Sequence, residues 1–289
     1  MGTTRYSLGI SPCPNDTFIF DALINRRVPA PFTVSAYMAD VEELNALACR
    51  GLLDITKLSL AAALRTLNHY VLLNSGAALG RGCGPLVAAR PGLDQKTFST
   101  ARIAIPGRLT TANLLLSLSK QFHGPRAEML FDQVMPALLA KKTDLGVIIH
   151  EGRFTYAEKG LTQVLDLGAW WEKRTGLPLP LGVIAVRRSL GERTALEVQE
   201  AIQRSLQHAY ASPEDSKAFI RSHAREMDEA VISAHIAAFV NDFSLNLGDE
   251  GQSAVITLLR AAQKELAASH PARPQSPLAA RTVFAPSKG

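Results

Sequence analysis

GCGPLVAAR (residues 82–90) and LPLPLGVIAVR (residues 177–187) decide the reading of the fold. Each is an apolar run entered through glycine and proline, residues that limit where a chain can bend. Each therefore suits a segment that crosses from one body of the chain to another. Upstream of the first crossing, residues 6–10, 32–38 and 53–58 have the short apolar character of strands in βαβ-like order. Between the second and third strands, Asp40 is placed to cap a helix and Glu43 to reach back to it. Leu44, Leu47, Ala48 and Leu52 would then fall on one face.

A second cycle lies between the crossings: strand 102–105, helix 111–122 with Leu114, Leu115, Leu118 and Phe122 inward, strand 128–131, helix 134–142 and strand 145–150. After Ser189 the pattern is helical over 196–210, 213–223, 228–241 and 251–268, with Ser212 and Pro213 as N-cap and first helical residue. From Pro271 the Pro- and Ser-containing end is expected to be a loose tail. Two α/β cycles joined by two crossings predict an α/β chain of two lobes. Residues 1–88 with 188–289 form the first, residues 89–187 are inserted as the second, and a cleft lies between them. A single doubly wound domain is the alternative topology.

The composition, 47% hydrophobic and 20% charged over 289 residues, is that of a globular protein. The net charge of +5 comes from scattered Lys and Arg, and aromatic residues make up only 6%. There is no basic stripe interleaved with stacking residues, so no nucleic-acid partner is expected. A mildly basic surface suits a small anionic substrate. Cys13, Cys49 and Cys83 are an odd number without CxxC spacing, which argues against a disulfide framework or zinc site and for a reducing compartment. No apolar run reaches the ~20 residues that span a bilayer, and residues 1–10 lack the apolar stretch of a signal peptide. A cytoplasmic protein without a membrane partner is expected. The sequence carries no signal for an oligomeric state.

Four segments can carry chemistry. SPCPNDT (residues 11–17) follows the first strand, and its two prolines make a rigid turn. Asn15, Asp16 and Thr17 offer cap groups for the next helix, or the turn holds Asn15 or Asp16 at the cleft. Cys13 has nothing nearby to lower its pKa and is a poor candidate nucleophile. Lys57, the Leu58 backbone and Ser59 end the third strand at a helix start, where amides and an ammonium suit a carboxylate or phosphate. IPGRLTTA (residues 105–112) repeats that logic in the second lobe, with Thr111 and Ala112 opening a helix. His150 closes an apolar strand at the cleft, the place for a general base. His69, His123, His208, His223, His235 and His270 fall in expected helices, turns or the tail. No HxH or HExxH spacing exists, so no metal is expected.

At these segments the chain resembles the 1,4-dihydroxy-6-naphthoate synthases of the futalosine route to menaquinone. The matching text is SPCPNDTFIF (11–20), TKLS (56–59), ALGRGCGPLV (78–87), PGRLTTA (106–112), IIHEGRFTY (148–156), DLGAWWEKRTGLPLPLG (166–182) and NLGDEGQSA (246–254). It runs in order through nearly the whole chain. The resemblance implies a two-lobed fold similar to type II periplasmic binding proteins, and a lyase that acts on cyclic dehypoxanthinyl futalosine without metal or organic cofactor. It implies that His150 is the proton acceptor and that Lys57, Leu58, Ser59, Thr111 and Ala112 bind substrate. The expected step is deprotonation of a sugar hydroxyl, then retro-aldol-like C–C cleavage driven by aromatisation. Two other readings share the fold: a chorismate dehydratase of the same pathway and a non-catalytic binder of small carboxylates. The SPCPND, PGRLTTA and IIHEGRF texts speak against the first, and the expected lack of a signal peptide against the second.

Overall fold

A computed structural model describes residues 3–225, 228–269 and 283–286. In chain order the first part holds β1 (Thr4–Ile10), α1 (Pro14–Ile24), β2 (Phe32–Met38), α2 (Val41–Cys49), β3 (Ile55–Ser59), α3 (Leu60–Thr66), β4 (Tyr70–Leu72) and β5 (Ala78–Gly80). The middle part holds β6 (Leu86–Ala89), β7 (Ile103–Ile105), α4 (Thr111–Ser119), β8 (Arg126–Glu128), α5 (Val134–Leu139), β9 (Leu145–Ile148), α6 (Gly152–Thr155), β10 (Thr162–Asp166) and α7 (Leu167–Thr175). The chain then returns through β11 (Leu179–Arg187) to α8 (Glu192–Ala211), α9 (Glu214–His223), α10 (Glu229–Phe239), α11 (Asp242–Leu245) and α12 (Gly248–Ser269).

The strands make two sheets. The first runs β2-β1-β3-β11-β4, with β5 also on β11, and the second runs β10-β6-β9-β7-β8. β1 is parallel to β2 and β3, while β11 is antiparallel to β3, β4 and β5. β11 was expected as a crossing, yet it bonds to the first sheet along its length, because every alternate peptide finds a partner there. We therefore place the lobe boundaries by sheet membership, between Gly80 and Leu86 and between Asp166 and Leu179. These lie before the expected 88 and 187.

The sequence patterns explain most elements. β3 is buried at all five residues, as a central strand must be. Helix α1 is buried from Pro14 to Leu23, because α8, α9 and α10 cover it on the faces that the sheet does not. Asp40 caps α2 by accepting from the Glu42 amide at 2.8 Å. Glu43 does not reach back; its carboxylate takes the Tyr37 hydroxyl at 2.5 Å. Leu44 and Ala48 are buried, whereas Leu52, beyond the helix, is 49% exposed. Helix α4 stops at Ser119 with Lys120 left-handed, so Leu115 and Leu116 form its buried stripe. The strand expected at 128–131 ends at Glu128, since Phe131 turns inward instead. Pro213, not Ser212, occupies the N-cap of α9, a difference of one residue.

The two crossings meet backbone to backbone. A Cβ added at Gly84 would stand 2.3 Å from the Gly168 Cα, so only glycine permits this approach. The expected loose tail is docked where it is described. Leu72 donates its amide to the Val283 carbonyl and accepts from the Ala285 amide, both at 2.8 Å, and Val283 is fully buried. His270 and residues 271–282 lie outside the described residues. Deleting residues 283–289 should cost about 2–4 kcal/mol, one buried valine plus lost sheet bonds. Urea unfolding would measure it, and an unchanged midpoint would show that the docked segment contributes nothing.

Candidate active site

The carboxyl ends of β1, β3, β7 and β9 converge between the two sheets, where parallel α/β strands place ligands. They border a cleft lined by residues of both lobes, the kind of concave place that ligands occupy. The first lobe contributes Asn15, Asp16, Lys57 and Ser59. The second contributes Thr111, Ala112, His150 and Arg153, the first crossing supplies Gly84, and β11 supplies Gly182.

His150 follows β9 by two residues with φ at +55°, a left-handed conformation uncommon for a residue with a side chain. That turn aims the ring out of the second lobe toward the first. The Phe131 ring meets it edge-on with centroids 4.8 Å apart, and the His235 ring stacks at 5.9 Å and 15°. The Cys13 sulfur lies 4.0 Å from Nε2. Burial pushes the His150 pKa down to about 4, with His235 and Lys57 adding to the effect and Glu151 and Asp16 opposing it. At neutral pH the ring is therefore a free base. Burial drives the Cys13 thiol far above its ordinary range, with Glu151 reinforcing it, so this cysteine stays a thiol.

Lys57 reaches into the cleft but is not unpaired. Its ammonium meets Asp16 Oδ1 at 2.5 Å, and both side chains are nearly inaccessible. Asp16 Oδ2 accepts from the Ser11 amide at 3.1 Å and its hydroxyl at 2.7 Å, while Asn15 Nδ2 donates to Oδ1 at 2.9 Å. Asn15, Asp16 and Thr17 lie inside the first turn of α1, and Cys13 occupies the cap position. Gly182 makes room for the lysine stem, since a Cβ there would stand 2.9 Å from Lys57 Cε.

The two helix starts face each other. Asn45 holds Ser59 by donating to its hydroxyl at 3.1 Å and accepting from its amide at 2.9 Å. The hydroxyl keeps its own proton for a ligand. Thr111 accepts from the Leu60 amide at 3.0 Å and donates to the Leu181 carbonyl at 2.6 Å, so its hydroxyl ties the lobes together. The Thr111 and Ala112 amides are in the first turn of α4, where no intrahelical acceptor exists. The Leu58 side chain lies in the core and its peptide pairs with Val183 in the sheet, away from the cleft.

Two residues of the site were not singled out from sequence. His235, on α10, is fully buried and packs on His150. Arg153 donates to the Gly84 carbonyl at 2.6 Å and to Asp166 at 2.8 Å, pinning the first crossing to the end of β10. Helical periodicity marks His235 as inward-facing, but nothing local says what it meets.

A family described as menaquinone biosynthesis matches residues 6–264. The chain belongs to this menaquinone-biosynthesis family. A curated relative from Thermus thermophilus, named 1,4-dihydroxy-6-naphthoate synthase, is 50% identical over 91% of this chain and 96% of its own. A relative of the same name from Streptomyces coelicolor is 41% identical over 92% and 95%. Among solved structures, an Archaeoglobus fulgidus protein superposes with a TM-score of 0.85 at 32% identity, covering 90% of this chain and 97% of its own. The alkanesulfonate-binding protein of Xanthomonas axonopodis superposes with a TM-score of 0.71 at 12% identity over 98% and 99% of the two chains. The family thus has the two-lobed fold of binding proteins, and its named relatives are enzymes. Among the described residues no helix is long and apolar enough to cross a membrane.

In this site the buried ion pair is the most sensitive element. Lys57→Met should destabilise the fold by about 3–5 kcal/mol, because the Asp16 carboxylate is left buried without its cation. Adding Asp16→Asn should recover much of that loss. Equal urea midpoints for Lys57→Met and the parent protein would show that the pair is not holding the turn.

Proposed function

We propose that this chain converts cyclic dehypoxanthinyl futalosine to 1,4-dihydroxy-6-naphthoate, as a cytoplasmic carbon–carbon lyase of menaquinone biosynthesis. The observation that carries the reading is His150, held as a free base at a strand end between two helix starts in a cleft. A neutral imidazole packed against the Phe131 and His235 rings can accept a proton. His150 takes the proton of a sugar hydroxyl, and the O–H electron pair becomes part of a new C=O bond. The adjacent C–C bond breaks, and its pair is taken into the bicycle as that becomes aromatic.

The remaining residues bind and orient. The Ser59 hydroxyl and the Thr111 and Ala112 amides suit the oxygens of an anionic substrate, with Lys57 adding positive charge. Asn15 acts from behind, through the Asp16 carboxylate it shares with Lys57. The neighbour that shares this fold is named an alkanesulfonate-binding protein, which supports the reading of a small anionic ligand. The three cysteines are free, which suits a reducing compartment.

Incubation with cyclic dehypoxanthinyl futalosine should yield the naphthoate, followed by absorbance and mass. His150→Ala should lower kcat by about 10²–10⁴ with little change in KM, the usual scale for a general base. A variant that keeps half the parent kcat would move the base elsewhere. The acid limb of kcat/KM reports protonation of the base. The direction of the His150 shift puts its midpoint below 6.5 and toward about 4, with activity falling as pH falls. A limb at 6.5 or above would mean that burial does not control this imidazole.

A further inference from the structure

Behind the base lies a polar contact that the reaction does not use. His235 is fully buried, and its Nδ1 stands 3.6 Å from Glu151 Oε2. Neither atom has a hydrogen-bond partner within the described residues. The other ring nitrogen is assigned by its surroundings. Asp16 can only accept, so the Asn15 amide nitrogen must face it, at 2.9 Å. The Asn15 oxygen then faces His235 Nε2 at 3.1 Å, and Nε2 carries a proton. A neutral ring would set its Nδ1 lone pair against a carboxylate oxygen, two acceptors facing each other in a dry site. One proton between them removes that conflict.

We propose that His235 and Glu151 share one buried proton and form a positioning pair for His150, assembled across the cleft. The role rests on His150 being the base of the proposed reaction. Glu151 is the next residue in the chain, so anchoring its carboxylate to α10 fixes the left-handed turn that carries the base. The His235 ring also covers one side of the His150 ring, and Phe131 borders it edge-on. Glu151 and Phe131 come from the second lobe, while His235 and Asn15 come from the first. The base is therefore aligned only when the lobes are together.

The pair also sets the charge around the base. The groups facing His150 are Glu151 on its own turn, His235 from α10, Asp16 and the Cys13 thiol from the start of α1, and Lys57 from β3. Lys57 faces Asp16 and His235 faces Glu151, so charged groups of opposite effect meet the ring in pairs, and burial is the largest influence that holds His150 neutral. Burial opposes ionisation of Glu151, but the nearby His235 and His150 rings keep its carboxyl below the ordinary range. Removing His235 would leave an unbalanced carboxylate beside the base.

The test is the titration of the His150 ring by nitrogen NMR, with kcat and KM, in His235→Phe, Glu151→Gln and their double variant. In His235→Phe the His150 midpoint should rise by about one pH unit or more. Its kcat should fall about 10–100-fold with KM within about threefold, as for a misaligned base. Adding Glu151→Gln should bring the midpoint back down, which a merely structural role would not do. If His235→Phe does not unfold cooperatively, His235→Gln carries the same test, since it keeps a donor for Asn15 but cannot hold the shared proton. An unmoved midpoint, or a moved midpoint with unchanged kcat, overturns the proposal. The titration needs no turnover, so absence of naphthoate from the parent protein would defeat the functional reading without deciding this one.

Discussion

An ionised carboxylate taken out of water costs several kcal/mol unless it is paired and fully hydrogen-bonded, and Asp16 is 1% exposed. Four donors meet it: the Lys57 ammonium, the Ser11 amide and hydroxyl, and the Asn15 amide. Satisfying this one group fixes much else. It holds the turn between β1 and α1, draws Lys57 from β3 beneath the cleft, and orients Asn15 toward His235. Each of these belongs to a different element of the first lobe. The first lobe's side of the site is thus organised around a charge that cannot be left alone.

The second lobe solves a different problem. β9 delivers its residues into a sheet, where side chains alternate between faces, but His150, the proposed base, points along the strand direction into the cleft. The left-handed turn at His150 makes that change of direction at a cost of about 1–3 kcal/mol for a residue with a Cβ. Such a conformation persists only where its neighbours over-determine it. Phe131 packs on the ring from the same lobe, and His235 and Cys13 receive it from the other. Further ties reinforce closure: the Leu109 amide donates to Glu42 at 2.9 Å, Thr111 links Leu60 and Leu181, and Arg225 pairs with Asp132. These are polar bonds at the cleft's edges, of the kind that water can replace when lobes separate.

Local signals in the sequence reveal one class of feature and hide another. Strand ends, helix starts and the glycine-proline crossings are local, and they led to His150, Lys57, Ser59, Thr111 and Ala112 together in one cleft. The two-sheet α/β architecture was legible for the same reason. β11 was misread as a crossing because an apolar strand and an apolar linker have the same pattern, and only its pairing with three partners separates them. His235 stands 85 positions from His150 in the chain, on a helix whose periodicity reports burial but not company. Leu58 was proposed through its backbone, but a central strand commits that backbone to its neighbours. The docked tail was hidden because Val283 and Ala285 form too short an apolar pattern to announce a sheet partner.

These features together bear on how a binding-protein fold can become an enzyme without gaining an element. A site that only binds an anion needs helix-start amides and hydroxyls, and the cleft has both at Ser59 and at Thr111–Ala112. The proposed catalysis asks for one more thing, a group in the cleft that can take a proton. The His150 imidazole suits this, because desolvation penalises its charged form and leaves the lone pair available. The cleft therefore supplies the neutral state that the proposed base requires at no further cost in architecture. What the proposed reaction adds is alignment, and the facing lobe, which sets His235 and Cys13 against the ring, is placed to supply it. In the proposed reaction, the surfaces that border the substrate are also the surfaces that hold the ring, so binding and alignment draw on the same contacts.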